Sequence, residues 1–352
     1  MLTSMPPRVA LLSPFLPPSV RGNAITVARI VTGLHGRGLD VRVWDLSTTG
    51  ERSIADEVEA YAPSIVHAFH AYRTGPLALR LARRAEIPLV VTLTGTDANH
   101  DLFDPARAAV VRHVLEGAAR ITVFHASIAG PVAAALPDVS ARLVTIAQAV
   151  SLEPGEPFDV VARTGWPTPR TLFVFPAGVR PVKRPRLPLR AFDRVVASDP
   201  DVRLLYAGPV LDPDEGEALL RELRSRPWAR HVGAVPHRQM RSLLAQADVV
   251  LNCSSSEGGM ANSVLEALAM ERAVLASDIA GNRSLIEHGV TGFLFGDDAK
   301  LEAHALRLAR DPALRARLAR AGRARVEAEY PPAPEIDGYV DVYRALVPVA
   351  SP

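Results

Sequence analysis

Cysteine is nearly absent: Cys253 is the one thiol in 352 residues. That excludes a disulfide framework and any zinc cluster built on cysteines. Lysine is almost as scarce. Lys183 and Lys300 are the two lysines among 40 Lys and Arg residues. So strong a bias to arginine fits GC-rich coding, and a lysine kept against it invites attention. Net charge is lacking too: 40 cations against 38 anions leave +2, no blanket field for a nucleic acid. No window approaches ~18 uninterrupted apolar residues, so no membrane span is expected. The opening MLTSMPPRVALLSPFLPP lacks a basic start and is broken by prolines, unlike a signal peptide. A cytoplasmic protein without a nucleic-acid partner is expected, with peripheral membrane contact left open.

The chain does have apolar residues, 48% of the total, enough for two cores. Short apolar runs alternate with helical patterns from end to end. RVALL (8–12), 41–45, 65–68, 89–94, 120–124 and 143–146 read as strands in the first half. In the second half the strand-like runs are 171–176, 202–207, 231–235, 249–251, 274–276 and 292–295. Helices are expected between most of them, one of them opening at Asn23 as N-cap and stopping at Gly36 and Gly38. Strands spaced by helices mean parallel, doubly covered sheets. The pattern lapses over 148–170, a Pro- and Gly-rich stretch that reads as a linker. Two Rossmann-like α/β domains are therefore expected, over 1–160 and 161–332, with a final helix, Ile336–Leu346, in 333–352. Tandem sheets of this kind would take a ligand in the cleft between them, outside the strand ends.

Four strand-end loops carry chemistry. PFLPPSVRGNAIT (14–26) opens the first helix, where Gly22 permits close approach and helix N–H groups face an anion, or it is an ordinary connection. FPAGVRPVKRP (175–185) turns at Gly178 and places Arg180 and Lys183 together, as a diphosphate needs, or it is a solvated basic loop. SSSEGGMANSVLEALA (254–269) runs from Glu257 through Gly258 and Gly259 into a helix bearing Glu266. Such a helix start suits an anion, and a carboxylate there suits a vicinal diol, unless both glutamates merely serve the helix or solvent. VVTLTGTDAN (90–99) ends a strand at Asp97, a candidate base or simply a turn cap. His67 and His70 lack a convincing third ligand, so no metal is expected. His125, His237 and His288 read as mostly structural. Cys253 reads as packing rather than as a nucleophile.

With these loops in view, the chain resembles a GT-B glycosyltransferase of the broad family 4 (group 1) class. SEGGMANSVLEALA, followed by AVLASDIAGNRSLIEHGVTGFLF, resembles that family's nucleotide-sugar signature, and PAGVRPVKRP its cationic diphosphate loop. RGNAITVARI, VTLTGTDAN and VLDP (210–213) further resemble the glycosyltransferase 1 domain-containing proteins.

The resemblance implies a retaining, metal-independent hexosyltransferase without a cofactor. Its donor would be a nucleotide sugar, UDP-linked in the family's commonest case, and its acceptor a small molecule or glycan. It implies that Arg180 and Lys183 hold the diphosphate and that Glu266 binds ribose hydroxyls. Glu257 would face the donor sugar, with Gly258, Gly259, Met260, Ala261 and Asn262 lining the donor. Gly22 and Asn23 would close over the phosphates or the acceptor. Two departures stand out. Eight residues separate Glu257 from Glu266, one more than the family motif has. Where relatives carry a histidine after the fourth strand, this chain has Thr94-Gly95, leaving Thr96 and Asp97 as the polar candidates. They keep two alternatives open: a nucleotide-sugar binder without transfer, or a UDP-sugar epimerase of the same fold.

Overall fold

The computed structural model describes residues 7–150, 152 and 155–347. Residues 1–6, 151, 153–154 and 348–352, parts of the expected termini and linker, lie outside the described residues.

The first sheet contains β1 (Arg8–Ser13), β2 (Asp40–Asp45), β3 (Ile65–Phe69), β4 (Leu89–Leu93), β5 (Arg120–Val123) and β6 (Leu143–Thr145). Their order is β2-β1-β3-β4-β5-β6, with every pair parallel. The second contains β7 (Thr171–Phe175), β8 (Val202–Tyr206), β9 (Ala229–His231), β10 (Val249–Asn252), β11 (Ala273–Ser277) and β12 (Phe293–Phe295). Its order is β12-β11-β10-β7-β8-β9, again parallel throughout. Strands such as IVHAF and TLFVF are buried at every position, as parallel strands covered by helices on both faces must be.

The chain divides into two units. One runs to Ala149 and resumes at Pro332; the other is Val150–Pro331. The linker-like stretch thus joins the second unit. Phe158, Val160 and Trp166 are buried in its core, and the Glu156 N–H donates to the Arg238 carbonyl. The last helix, Pro332–Leu346, starts four residues before the expected Ile336, because a proline fits a helix's first turn. It is part of the first unit. Arg29 grips buried Glu335 with two parallel hydrogen bonds of 2.9 and 2.8 Å. Tyr343 donates to or accepts from His67 Nδ1 at 2.7 Å, and His67 Nε2 meets Thr92 Oγ1 at 2.7 Å.

Three local expectations change. The helix Glu51–Tyr61 was not expected, although Ile54, Val58 and Tyr61 form its buried stripe. The strand expected at 231–235 lies at Ala229–His231, where β8 supplies its partner. Asn23 is not an N-cap: the helix Gly22–Gly36 has Arg21 there, without a side-chain cap. That helix does end at the expected glycines. Leu39 N–H reaches the Leu34 carbonyl and Gly38 N–H that of His35, with Gly38 at φ 77°.

Candidate functional site

Strand order in the second sheet reverses between β7 and β10, which lie side by side. Loops leaving their carboxyl ends diverge at such a point, where open α/β sheets bind ligands. The basic loop follows β7 and the glutamate loop follows β10, so chain segments far apart in sequence meet here.

Lys183 ends a single 3-10 turn, Pro181–Lys183. Its Nζ donates to Glu257 Oε1 at 2.5 Å. The same oxygen accepts from Ser254 Oγ at 2.5 Å and from Asn252 Nδ2 at 3.1 Å. Burial pushes the Glu257 carboxyl up, but the Lys183 ammonium and these hydrogen bonds outweigh it and hold the group below the ordinary carboxylate value. Arg184, at φ 45°, latches the two loops together through Nε to the Cys253 carbonyl (2.6 Å) and Nη2 to the Ser254 carbonyl (3.3 Å). Arg180, one turn earlier, is exposed. Gly178 lies against Leu211, whose Cδ1 would stand 2.5 Å from a Cβ placed there.

Asn282 supports Asn252 from behind. Its Nδ2 donates to Asn252 Oδ1 at 3.2 Å and to the Ser277 carbonyl at 2.9 Å. Asn252, Ser254, Arg184 and Asn282 were not singled out from the sequence, because each acts on a partner distant in the chain. Gly281 also faces this loop. A Cβ placed on it would stand 2.7 Å from the Glu257 Cβ. Gly258 follows, and Gly259 takes φ 108°, open to glycine at little cost, with its carbonyl accepting from Ser284 Oγ at 3.0 Å. Met260 and Ala261 are buried, and Asn262 begins the helix Asn262–Ala269, with Ala261 at its N-cap position. Glu266 projects from that helix, 8% exposed. His237 Nε2 lies 3.0 Å from its Oε1.

Gly22, Asn23 and Asp97 belong to the first unit. Asn23 Nδ2 donates to Thr94 Oγ1 at 3.1 Å, tying the first helix to the end of β4. Asp97, a candidate base or turn cap, accepts from backbone N–H groups at two strand ends. It is fully buried, and its Oδ1 accepts from the N–H groups of Thr94 (2.9 Å), Gly95 (2.8 Å) and Ala98 (3.1 Å). Its Oδ2 accepts from Ala71 N–H at 2.8 Å. This carboxylate thus ties the ends of β3 and β4 together. His70, at φ 88°, sits beside it, 3.8 Å from Asp97 Oδ2. Among the described residues no three His, Cys, Asp or Glu side chains gather to hold a metal. Cys253 is buried, and burial pushes its thiol well above the usual value, unlike an activated nucleophile.

Residues 169–311 match the family described as "Glycosyl transferases group 1". Glycosyltransferase 1 domain-containing protein 1 of Xenopus tropicalis is 26% identical over 309 residues, 84% of this chain and 86% of the relative. The D-inositol 3-phosphate glycosyltransferase of Frankia alni is 29% identical over 278 residues, 72% of this chain and 68% of that one. Among solved structures, Anabaena HepE in complex with UDP-glucose has a TM-score of 0.81 at 15% identity, covering 97% of this chain and 100% of that one. The chain has the GT-B fold, and residues 169–311, which carry the Lys183 and Glu257 loops, are similar to the group 1 glycosyltransferases.

Proposed function

We propose that the protein is a retaining glycosyltransferase that moves a hexosyl unit from a UDP-sugar to an acceptor, with cations of the protein meeting the leaving diphosphate. Lys183 and Glu257 carry this reading: a cation and a carboxylate are held together where the two central strands of the second sheet diverge. During transfer, the bond from the anomeric carbon to the diphosphate oxygen breaks, an acceptor hydroxyl oxygen bonds on the same face, and the hydroxyl's proton passes to the departing diphosphate oxygen. The leaving diphosphate gains negative charge. Arg180, Lys183 and the amino end of the helix Asn262–Ala269 stabilise it. An ammonium has three N–H donors, so Lys183 can keep Glu257 and still reach a phosphate. Glu257, its Oε1 held by Lys183, Ser254 and Asn252, faces the donor sugar. Glu266 takes the ribose hydroxyls, and Gly22 with Asn23 serves the phosphates or the acceptor. Asp97 positions the ends of β3 and β4 and does not react.

The test is turnover of a panel of nucleotide sugars, with and without acceptor pools. Acceptor-dependent UDP release is expected, with a product that keeps the donor's anomeric configuration by NMR. Ligand-induced stabilisation without release identifies a binder. Conversion of the sugar without an acceptor identifies an epimerase. Either outcome overturns the proposal.

A further inference from the structure

The loop after β9 turns at Gly233, φ 76°, and passes Pro236 into the helix His237–Gln246. The first residue of that helix, His237, brings its imidazole to Glu266, 29 positions along the chain. Nε2 stands 3.0 Å from Oε1, and because a carboxylate only accepts, Nε2 carries the proton. No other side-chain donor reaches the Glu266 carboxylate among the described residues. His237 is 30% exposed at its side chain and Glu266 11%, so the pair lies at the wall of the site, not in the core.

A lone glutamate on a helix turns freely about its last torsion, which has only a broad preference. A hydrogen bond to one oxygen removes that freedom and fixes where the other points. We propose that His237 is a positioning residue: by holding Oε1 it aims Oε2 of Glu266 at the hydroxyls of a nucleoside diphosphate's ribose, and so sets a preference for ribonucleotide over 2′-deoxyribonucleotide. This rests on the reading of Glu266 as the ribose carboxylate.

Glutamine places Nε2 as many bonds from Cα as the imidazole does along its Nε2 branch, whereas asparagine stops one bond short. Calorimetric affinities for UDP and 2′-deoxy-UDP are measured on the full chain and on His237→Gln, His237→Asn, His237→Ala and Glu266→Gln. The parent is expected to prefer UDP by roughly tenfold or more, the scale of a hydrogen bond to a charged group. His237→Ala and His237→Asn lose that preference, and His237→Gln keeps most of it. If His237→Ala does not fold, the Gln and Asn variants decide. Retention of the parental ratio in His237→Asn, or its loss in His237→Gln as in His237→Ala, overturns the positioning role alone, provided Glu266→Gln loses the ratio. If the parent does not bind UDP, does not discriminate, or Glu266→Gln discriminates as well as the parent, the reading of Glu266 falls and this inference with it.

Discussion

Lys183 Nζ and Glu257 Oε1 stand 2.5 Å apart, although 74 positions separate them in the chain. Both side chains are largely buried, at 15% and 9% exposure. A buried pair of this kind is costly to break one-sidedly, because the survivor keeps its charge without its partner.

Lys183→Met is therefore expected to destabilise the fold by on the order of 3–5 kcal/mol and to weaken UDP binding. Lys183→Met combined with Glu257→Gln should regain much of the stability and none of the affinity. Thermal melts and calorimetry separate the two effects. A double variant that binds UDP like the parent would remove Lys183 from the donor site.

Gly281→Ala should act on the same loop from the other side. Its new Cβ meets the Glu257 Cβ at 2.7 Å, and Glu257 cannot retreat without releasing Lys183, Ser254 or Asn252. Overpacking of this sort costs about 1–3 kcal/mol. A lower UDP affinity in a folded variant is expected. Unchanged affinity would show that the loop yields elsewhere.

Asp97→Asn should lower the melting temperature while sparing the pH dependence of whatever activity remains. An amide has one acceptor oxygen for the four N–H groups that the carboxylate now satisfies. Each buried N–H left unmet costs about 1–3 kcal/mol. Disappearance of one limb of the pH–rate profile would instead make Asp97 the reacting base.

His67 predicts how stability follows pH. Burial pushes its imidazole down to about 3, against an ordinary value of 6.5. Above that ordinary value both folded and unfolded chains hold it neutral, and its contribution is complete. As pH falls from there towards about 3, the unfolded chain takes up a proton that the folded one refuses, so stability declines. The slope from this group is at most about 1.4 kcal/mol per pH unit. Melts across this window should be shallower for His67→Gln than for the parent. Equal slopes would mean that other groups govern the acid limb.

Alternation of elements was legible because it is written locally. Runs such as RVALL, TLFVF and VVLN are short, apolar and bounded by turn residues, and that pattern needs only near neighbours. The glycines at the end of the first helix were legible for the same reason: a helix stop is settled within a few residues. Glu51–Tyr61 was legible in principle, through Ile54, Val58 and Tyr61, but its polar, acidic surface hides the stripe. β9 was misplaced because three residues at a sheet edge carry little pattern of their own and take their register from β8.

Partnerships among the site residues are of another kind. That the 180s loop and the 250s loop each bear charge could be read from the chain. That Lys183 meets Glu257 follows from β7 lying beside β10, and that His237 meets Glu266 follows from two helices that both start beyond the carboxyl ends of parallel strands of the second sheet. Asp97 shows the same limit most plainly. As a residue type at a strand end it suits a base or a turn cap equally, and only the fold brings four N–H groups to it from two strand ends. Local periodicity cannot encode these outcomes, because the order of strands in a sheet is set by the packing of whole elements over distances no short window of sequence spans.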